Sequence, residues 1–115
     1  MSDLTALYDE ADKLKDDGKY EEAIAKLRQV LGEDPDYTLA HMALAVLCGR
    51  VGLHEEAVEH GRRACELEPT EAFNYTALSV TYQRAFAGTQ NRDYIRLAEE
   101  AMAKANAVQH QQSRR

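Results

Sequence analysis

Apolar residues recur along the first part of the chain at steps of three and four. Leu4, Leu7, Tyr8, Ala11 and Leu14 keep that spacing, with Asp9, Asp12, Lys13 and Asp16 between them, which predicts a helix with one apolar face and one wet face. Ser2 or Asp3 can accept from the free amides of its first turn, and Asp17-Gly18 supplies a residue able to take the positive φ of a helix stop. A second amphipathic helix opens near Tyr20, with Ala23, Ile24, Leu27, Val30 and Leu31 on its apolar side. Glu22 and Lys26 form an i,i+4 pair on its wet side. This helix must give out before Asp34-Pro35, because a proline pushes the residue ahead of it out of the α region.

The third segment is different. Between Leu39 and Cys48 the one residue that is not apolar is His41, so the helix predicted over residues 39–50 cannot lie on a surface with one side in water. It must be flanked on both sides or covered by a ligand. The turn and amphipathic segment over residues 52–69 then repeat the order of the first hairpin. Gly52 follows Gly18 by 34 residues and Pro69 follows Pro35 by the same step, while Glu55, Glu56, Ala57 and Val58 repeat Glu21, Glu22, Ala23 and Ile24. Self-similarity at this period is the mark of a stacked array.

On these residues the chain resembles the tetratricopeptide repeat, a helix-turn-helix unit that stacks into a superhelix. The first repeat, about residues 4–37, carries Leu7, Glu10, Ala11, Leu14, Ala23, Leu27 and Pro35 at the signature places. The second, about 38–71, carries His41, Leu44, Ala45, Cys48, Ala57, Gly61 and Pro69. Most of the family's aromatics are replaced, and Glu10 stands where leucine is preferred, as in a solvated N-terminal cap. The third repeat, about 72–108, starts at Ala72 with Tyr75, Leu78, Ser79 and Tyr82 in the inner-helix pattern. It then departs, with RAFAGTQNRDY where a glycine turn is due near Phe86. That run adds about seven residues to the helix, the loop or both, with a lengthened turn near 86–92. One alignment puts Ala98, Met102 and Ala105 at the places of Ala57, Gly61 and Ala64. A second, shifted by three, pairs Glu99-Glu100-Ala101 with Glu55-Glu56-Ala57.

The expected fold is all-α, a right-handed superhelical array of three such repeats forming one domain over residues 1–109. The tail over 110–115 is polar and expected to fray. No extra polar-faced helix follows Val108, so the last helix either caps itself or meets another chain.

The resemblance implies that the first helix of each repeat lines a concave surface that holds another protein, as a peptide or a single helix. The face of each inner helix turned from its own partner gives Thr5, Tyr8, Asp12 and Lys15 in the first repeat. The second gives Leu39, Met42, Val46 and Arg50, and the third Phe73, Thr76, Val80, Gln83 and Arg84. An apolar anchor is expected over Met42, Val46, Phe73 and Val80, with an acidic group near Arg50 or Arg84. One subclass of the family clamps a terminal carboxylate with cations and amides. At the corresponding places this chain has Tyr8, Asp12, Ala43, Phe73 and Ala77, none of which can do so. A second reading is self-assembly through the last helix, by Tyr94, Leu97, Ala98, Ala101, Met102, Ala105 and Val108, giving a homo-oligomer.

Composition narrows the classes further. A net charge of −6 and a pI near 5.2 lack the basic footprint that nucleic acid or an anionic membrane would need. The opening MSDLTALYDE has neither the basic start nor the apolar run of a secretory signal, and no apolar run approaches a bilayer span, so a cytoplasmic protein is expected. Cys48 and Cys65 lie inside apolar helical patterns and read as small hydrophobes. With His54 they could approach one another as metal ligands, but no CxxC or HxxxH spacing supports it. No phosphate loop, activated nucleophile or buried carboxylate pair is present. Arg62-Arg63 between Glu59 and Glu66 reads as a salt-bridged outer face. The expectation is a non-enzymatic interaction module without metal or cofactor.

Overall fold

The computed structural model describes residues 3–113. They form six helices: α1 Leu4–Asp16, α2 Tyr20–Glu33, α3 Thr38–Arg50, α4 His54–Leu67, α5 Ala72–Thr89 and α6 Asp93–Ser113. There is no strand among them, and no helix of the described residues is long and apolar enough to cross a membrane.

The start of α1 and the turns between the first four helices follow from residues legible in the sequence. The Asp3 carboxylate accepts from the amides of Thr5 at 3.1 Å and Ala6 at 3.3 Å, capping α1. Gly18, at φ 77°, lets the Lys19 amide turn back to the Leu14 carbonyl at 2.8 Å. One period later Gly52, at φ 86°, lets Leu53 reach Cys48 at 2.8 Å. The outer turns repeat in the same way: Asp34 donates to Val30 and Tyr37 to Asp34, as Glu68 does to Ala64 and Glu71 to Glu68. The repeat is therefore one of hydrogen bonds as well as of residue types.

Two clusters make the core. The first gathers Ala11, Ile24, Leu27, Val30, Leu44, Leu47, Cys48 and Ala57 from α1 to α4. The second gathers Val58, Cys65, Leu78, Tyr82, Ala85, Ala98 and Ala101 from α4 to α6. Helix α3 packs on α2, α4 and α5, as its apolar circumference requires. Small residues allow the close approach: a Cβ on Gly61 would stand 3.0 Å from Leu78 Cδ1 and 3.9 Å from Ala45 Cβ.

Four expectations are corrected. The extra residues of the third repeat are helix rather than turn: α5 continues to Thr89, and the connection is residues 90–92. Gly88 is helical, and the left-handed position falls on Gln90, at φ 62°. The tail does not leave the helix at residue 110; α6 runs to Ser113, with Val108 buried beneath it and the Gln112 amide donating to the Thr70 carbonyl. Arg114 and Arg115 lie outside the described residues. Of the two registers for α6, burial fits the second, which sets buried Ala101, Ala105 and Val108 on buried Ala57, Gly61 and Ala64, whereas the first sets half-buried Met102 on Gly61. Finally, the expected i,i+4 ion pairs are replaced by one between helices, one to the turn between α2 and α3, and one at i,i+3 within α4. Lys26 pairs with Glu10 at 3.0 Å, and Arg63 with Asp36 at 3.0 Å as well as Glu66 at 3.1 Å.

Candidate functional site

Helices α1, α3 and α5 together wall a cavity of about 460 Å³. It receives Tyr8, Asp12 and Lys15 from α1, Leu39, Met42 and Val46 from α3, and Phe73, Thr76, Val80 and Arg84 from α5. Its floor is made of smaller or deeper residues, Ala11, Ala43, Ala45, Leu47, Ala77 and Leu78. These floor positions were not singled out as site residues for their shape, although alanines between bulky neighbours on an inner helix signal a concavity.

The apolar part of this groove is open to solvent. Leu39 is 53% exposed, Val46 37%, Phe73 62% and Val80 39%. Among the described residues two other large hydrophobic side chains, Leu53 and Ile95, are exposed, and neither lines the cavity. Scattered apolar side chains are ordinary on a protein surface, but a contiguous concave group of them marks an interaction surface.

The polar groups of the lining are largely committed. Asn74 is buried and its side-chain amide donates to the Ala64 carbonyl at 3.4 Å. The hydroxyls of Thr76 and Thr81 donate to the carbonyls one turn back, Ala72 and Ala77. Asp12 and Lys15 pair at 2.9 Å, and the Asp12 hydrogen bond raises the Lys15 ammonium above its ordinary value. Burial, and next the Asp12 charge, raise the Tyr8 phenol, whose ring leans on Tyr37 with centroids 6.0 Å apart. Arg84 is exposed and has no ion pair or side-chain hydrogen bond among the described residues.

Three expected groove residues lie elsewhere. Arg50 folds back over the Tyr20 ring, its Cζ 5.5 Å from the centroid, and donates to the Tyr20 hydroxyl at 3.3 Å. Gln83 donates to Ser79 at 3.3 Å, and Ser79 in turn to the Ala98 carbonyl at 2.9 Å, so it faces α6. Thr5 does not line the cavity.

The residues of the self-association reading are placed mostly inward. Ala98, Ala101, Ala105 and Val108 are buried within the chain itself, α5 being the neighbour that α6 packs on. Tyr94 stacks on Tyr82 with centroids 6.0 Å apart, and Leu97 packs on the second cluster. Met102 is half-buried. The helix spends its apolar stripe on its own chain.

The three candidate metal ligands are not brought together. Cys48 belongs to the first cluster and donates to Glu56 at 3.7 Å; Cys65 belongs to the second. The His54 ring lies over Gly88, where a Cβ would stand 2.1 Å from its Nε2. Among the described residues no group of three His, Cys, Asp or Glu side chains is placed to hold a metal ion. One pairing escaped the sequence: buried His41 holds the Pro35 carbonyl through Nε2 at 2.7 Å and faces His60, Nδ1 to Nδ1, at 3.0 Å. A carbonyl can only accept, so Nε2 of His41 carries the hydrogen. In the neutral ring Nδ1 is then the acceptor, and His60 donates to it. Its sequence signal was a lone polar residue in an apolar helix.

A family profile described as tetratricopeptide repeat matches residues 8–72. No curated protein sequence matches the chain. Among solved structures the fold is similar to that of MamA, at TM-score 0.80 and 19% identity over 97% of this chain and 61% of that one. It is also similar to YrrB, described as a TPR protein with an unusual peptide-binding site, at TM-score 0.76 and 21% identity over 95% of this chain and 53% of that one. The translocator chaperone SycD of type III secretion in Yersinia enterocolitica aligns at TM-score 0.60 and 15% identity, over 95% of this chain and 93% of that one. The chain thus spans about half to three fifths of the length of the first two.

Proposed function

The chain belongs to the tetratricopeptide repeat family, and on that footing we propose that it is a non-enzymatic adaptor whose inner helices hold a segment of another protein. The observation that carries this reading is the concave group of exposed Leu39, Val46, Phe73 and Val80 around half-buried Met42. Burying one leucine-sized anchor there contributes roughly 1.5–3 kcal/mol. A micromolar complex needs about 8 kcal/mol net of the cost of association, so two anchors and a charge pair at Arg84 supply part of the binding and further contacts along the groove the rest. The flexible thioether of Met42 lets the surface adapt to more than one anchor. Arg84, unpaired beside the apolar strip, suits a carboxylate on the incoming segment. Peptide binding in YrrB, as its description states, and the chaperone role of SycD are consistent with an interaction module.

The test is capture from a native extract with wild-type and Val46→Glu chains, their folding compared by circular dichroism. Partners held in the groove are lost from the variant and kept by an outer-face control such as Arg96→Glu. A set of captured proteins unchanged by Val46→Glu would remove the groove from the reading.

A further inference from the structure

The walls of the groove offer little to the backbone of an extended chain. A segment buried in that form must hand its amides and carbonyls to partners, because unpaired ones are destabilising once water is gone. The inner helices use their own backbone internally, and Asn74, Thr76 and Thr81 already donate to carbonyls of this chain. Asp12 and Lys15 hold each other. Beyond their spare lone pairs and N–H groups, the lining adds the Tyr8 hydroxyl from α1 and Arg84 from α5, too few and too scattered to pair the regular amides and carbonyls of an extended backbone.

The apolar side chains are arranged for a different occupant. Leu39, Met42 and Val46 stand three and four residues apart on α3, and Phe73, Thr76 and Val80 repeat those intervals on α5. The short turns before and after α4 make α3 and α5 run in the same direction. Two ridges therefore lie side by side, each about 10 Å long, with Arg84 about 6 Å further along its helix. A third helix seats between such ridges, and it brings its backbone already hydrogen-bonded.

We infer that the occupant is an amphipathic α-helix of another protein, with an apolar stripe of about two turns against α3 and α5 and a carboxylate one turn past the stripe, beside Arg84. This rests on the groove being the binding surface. Recognition through side chains alone makes the groove selective for stripe spacing and for the position of one acid.

The test uses designed peptides of about fifteen residues, with leucines at stripe spacing on a glutamine background and a glutamate one turn beyond the stripe, at either end in separate peptides. One version of each is locked helical by a side-chain lactam; the other carries a proline between the leucines. Fluorescence anisotropy against the full chain is expected to show the locked form binding at least about tenfold tighter than the proline form. Val46→Glu is expected to weaken it at least about tenfold, with Val80→Glu as the second variant should the first not fold. Arg84→Glu is expected to weaken it by a smaller factor, recovered when the peptide glutamate is changed to lysine. Tighter binding of the proline form, still sensitive to Val46→Glu, would overturn the helical occupant and leave the groove standing. No binding of the locked form beside Val46-dependent capture from extract would do the same. Binding insensitive to both valine variants would remove groove and helix together. Sedimentation showing a dimer that the locked peptide fails to dissociate would make a second copy the occupant and overturn the inference.

Discussion

Cys48 sits in the core beside a carboxylate, and that setting decides its chemistry. Burial, and next Glu56, push its thiol up to about 11, and burial does the same for Cys65. At about pH 8 both are thiols, and the thiolate is the reactive form. Iodoacetamide labelling followed by mass spectrometry is therefore expected to be slow in buffer and to accelerate only with unfolding in urea; prompt labelling of the native chain would contradict the burial. His60 supplies a pH dependence. Burial, then His41, hold its pKa below the ordinary value, against Glu56 and Glu59, which raise it, and with Arg28, which also lowers it. The native state thus binds fewer protons here than the unfolded chain. The stabilisation that goes with the neutral His60 ring is complete above about pH 6.5 and is lost as pH falls through the lower native value. The urea midpoint of the wild type is expected to drop between about pH 7.5 and pH 5.5. His60→Asn, which keeps a donor near Nδ1 without titrating, flattens that drop.

At the scale of elements, the turn that ends each inner helix is the informative piece. Gly18 and Gly52 take positive φ without cost, but in the third repeat Gln90 does so at φ 62°, where a side chain is strained. Gln90→Gly is expected to raise stability by up to about 1 kcal/mol in urea denaturation; no gain would mean that the Gln90 amide, 3.3 Å from the Ala87 carbonyl, offsets the strain. Gly88 lies where a turn glycine would be due, yet it is helical. Its requirement comes from His54, on another helix and far away in sequence, which periodicity does not report. Gly88→Ala alone is expected to cost about 1–2 kcal/mol by displacing the ring. Made on a His54→Ala background, the same change gains helix propensity and becomes neutral or stabilising. Opposite signs in the two backgrounds, read from denaturation midpoints, are the check. The first four helices were legible because their caps, glycines and prolines are local signals. Arg50 was drawn into the groove at a sound angular position on α3, but a long guanidinium side chain at a helix end could swing onto the Tyr20 face.

Taken whole, the molecule is close to one-dimensional: helices pack on their neighbours in the chain, and α3 with α5 is the main contact that skips one. That topology follows from the 34-residue step, so the architecture was readable from repetition, whereas the concave face of the inner helices came from the family resemblance. What repetition could not supply was how α6 spends its apolar stripe, since alanines suit a self-covered helix and a shared interface equally well. Because α4 contributes Ala57 to the first cluster and Val58 and Cys65 to the second, it is the element through which damage in one cluster reaches the other. In a stacked array stability is a sum of unit and neighbour terms, so a core lesion is felt first by the units that share it. Leu27→Ala, at a fully buried site of the first cluster, is expected to cost about 2–5 kcal/mol. In hydrogen exchange it should lower protection most in α1, α2 and α3, less in α4, and least in α6. Uniform loss across all six helices would show instead that the two clusters unfold as one cooperative body, with α4 transmitting the full effect.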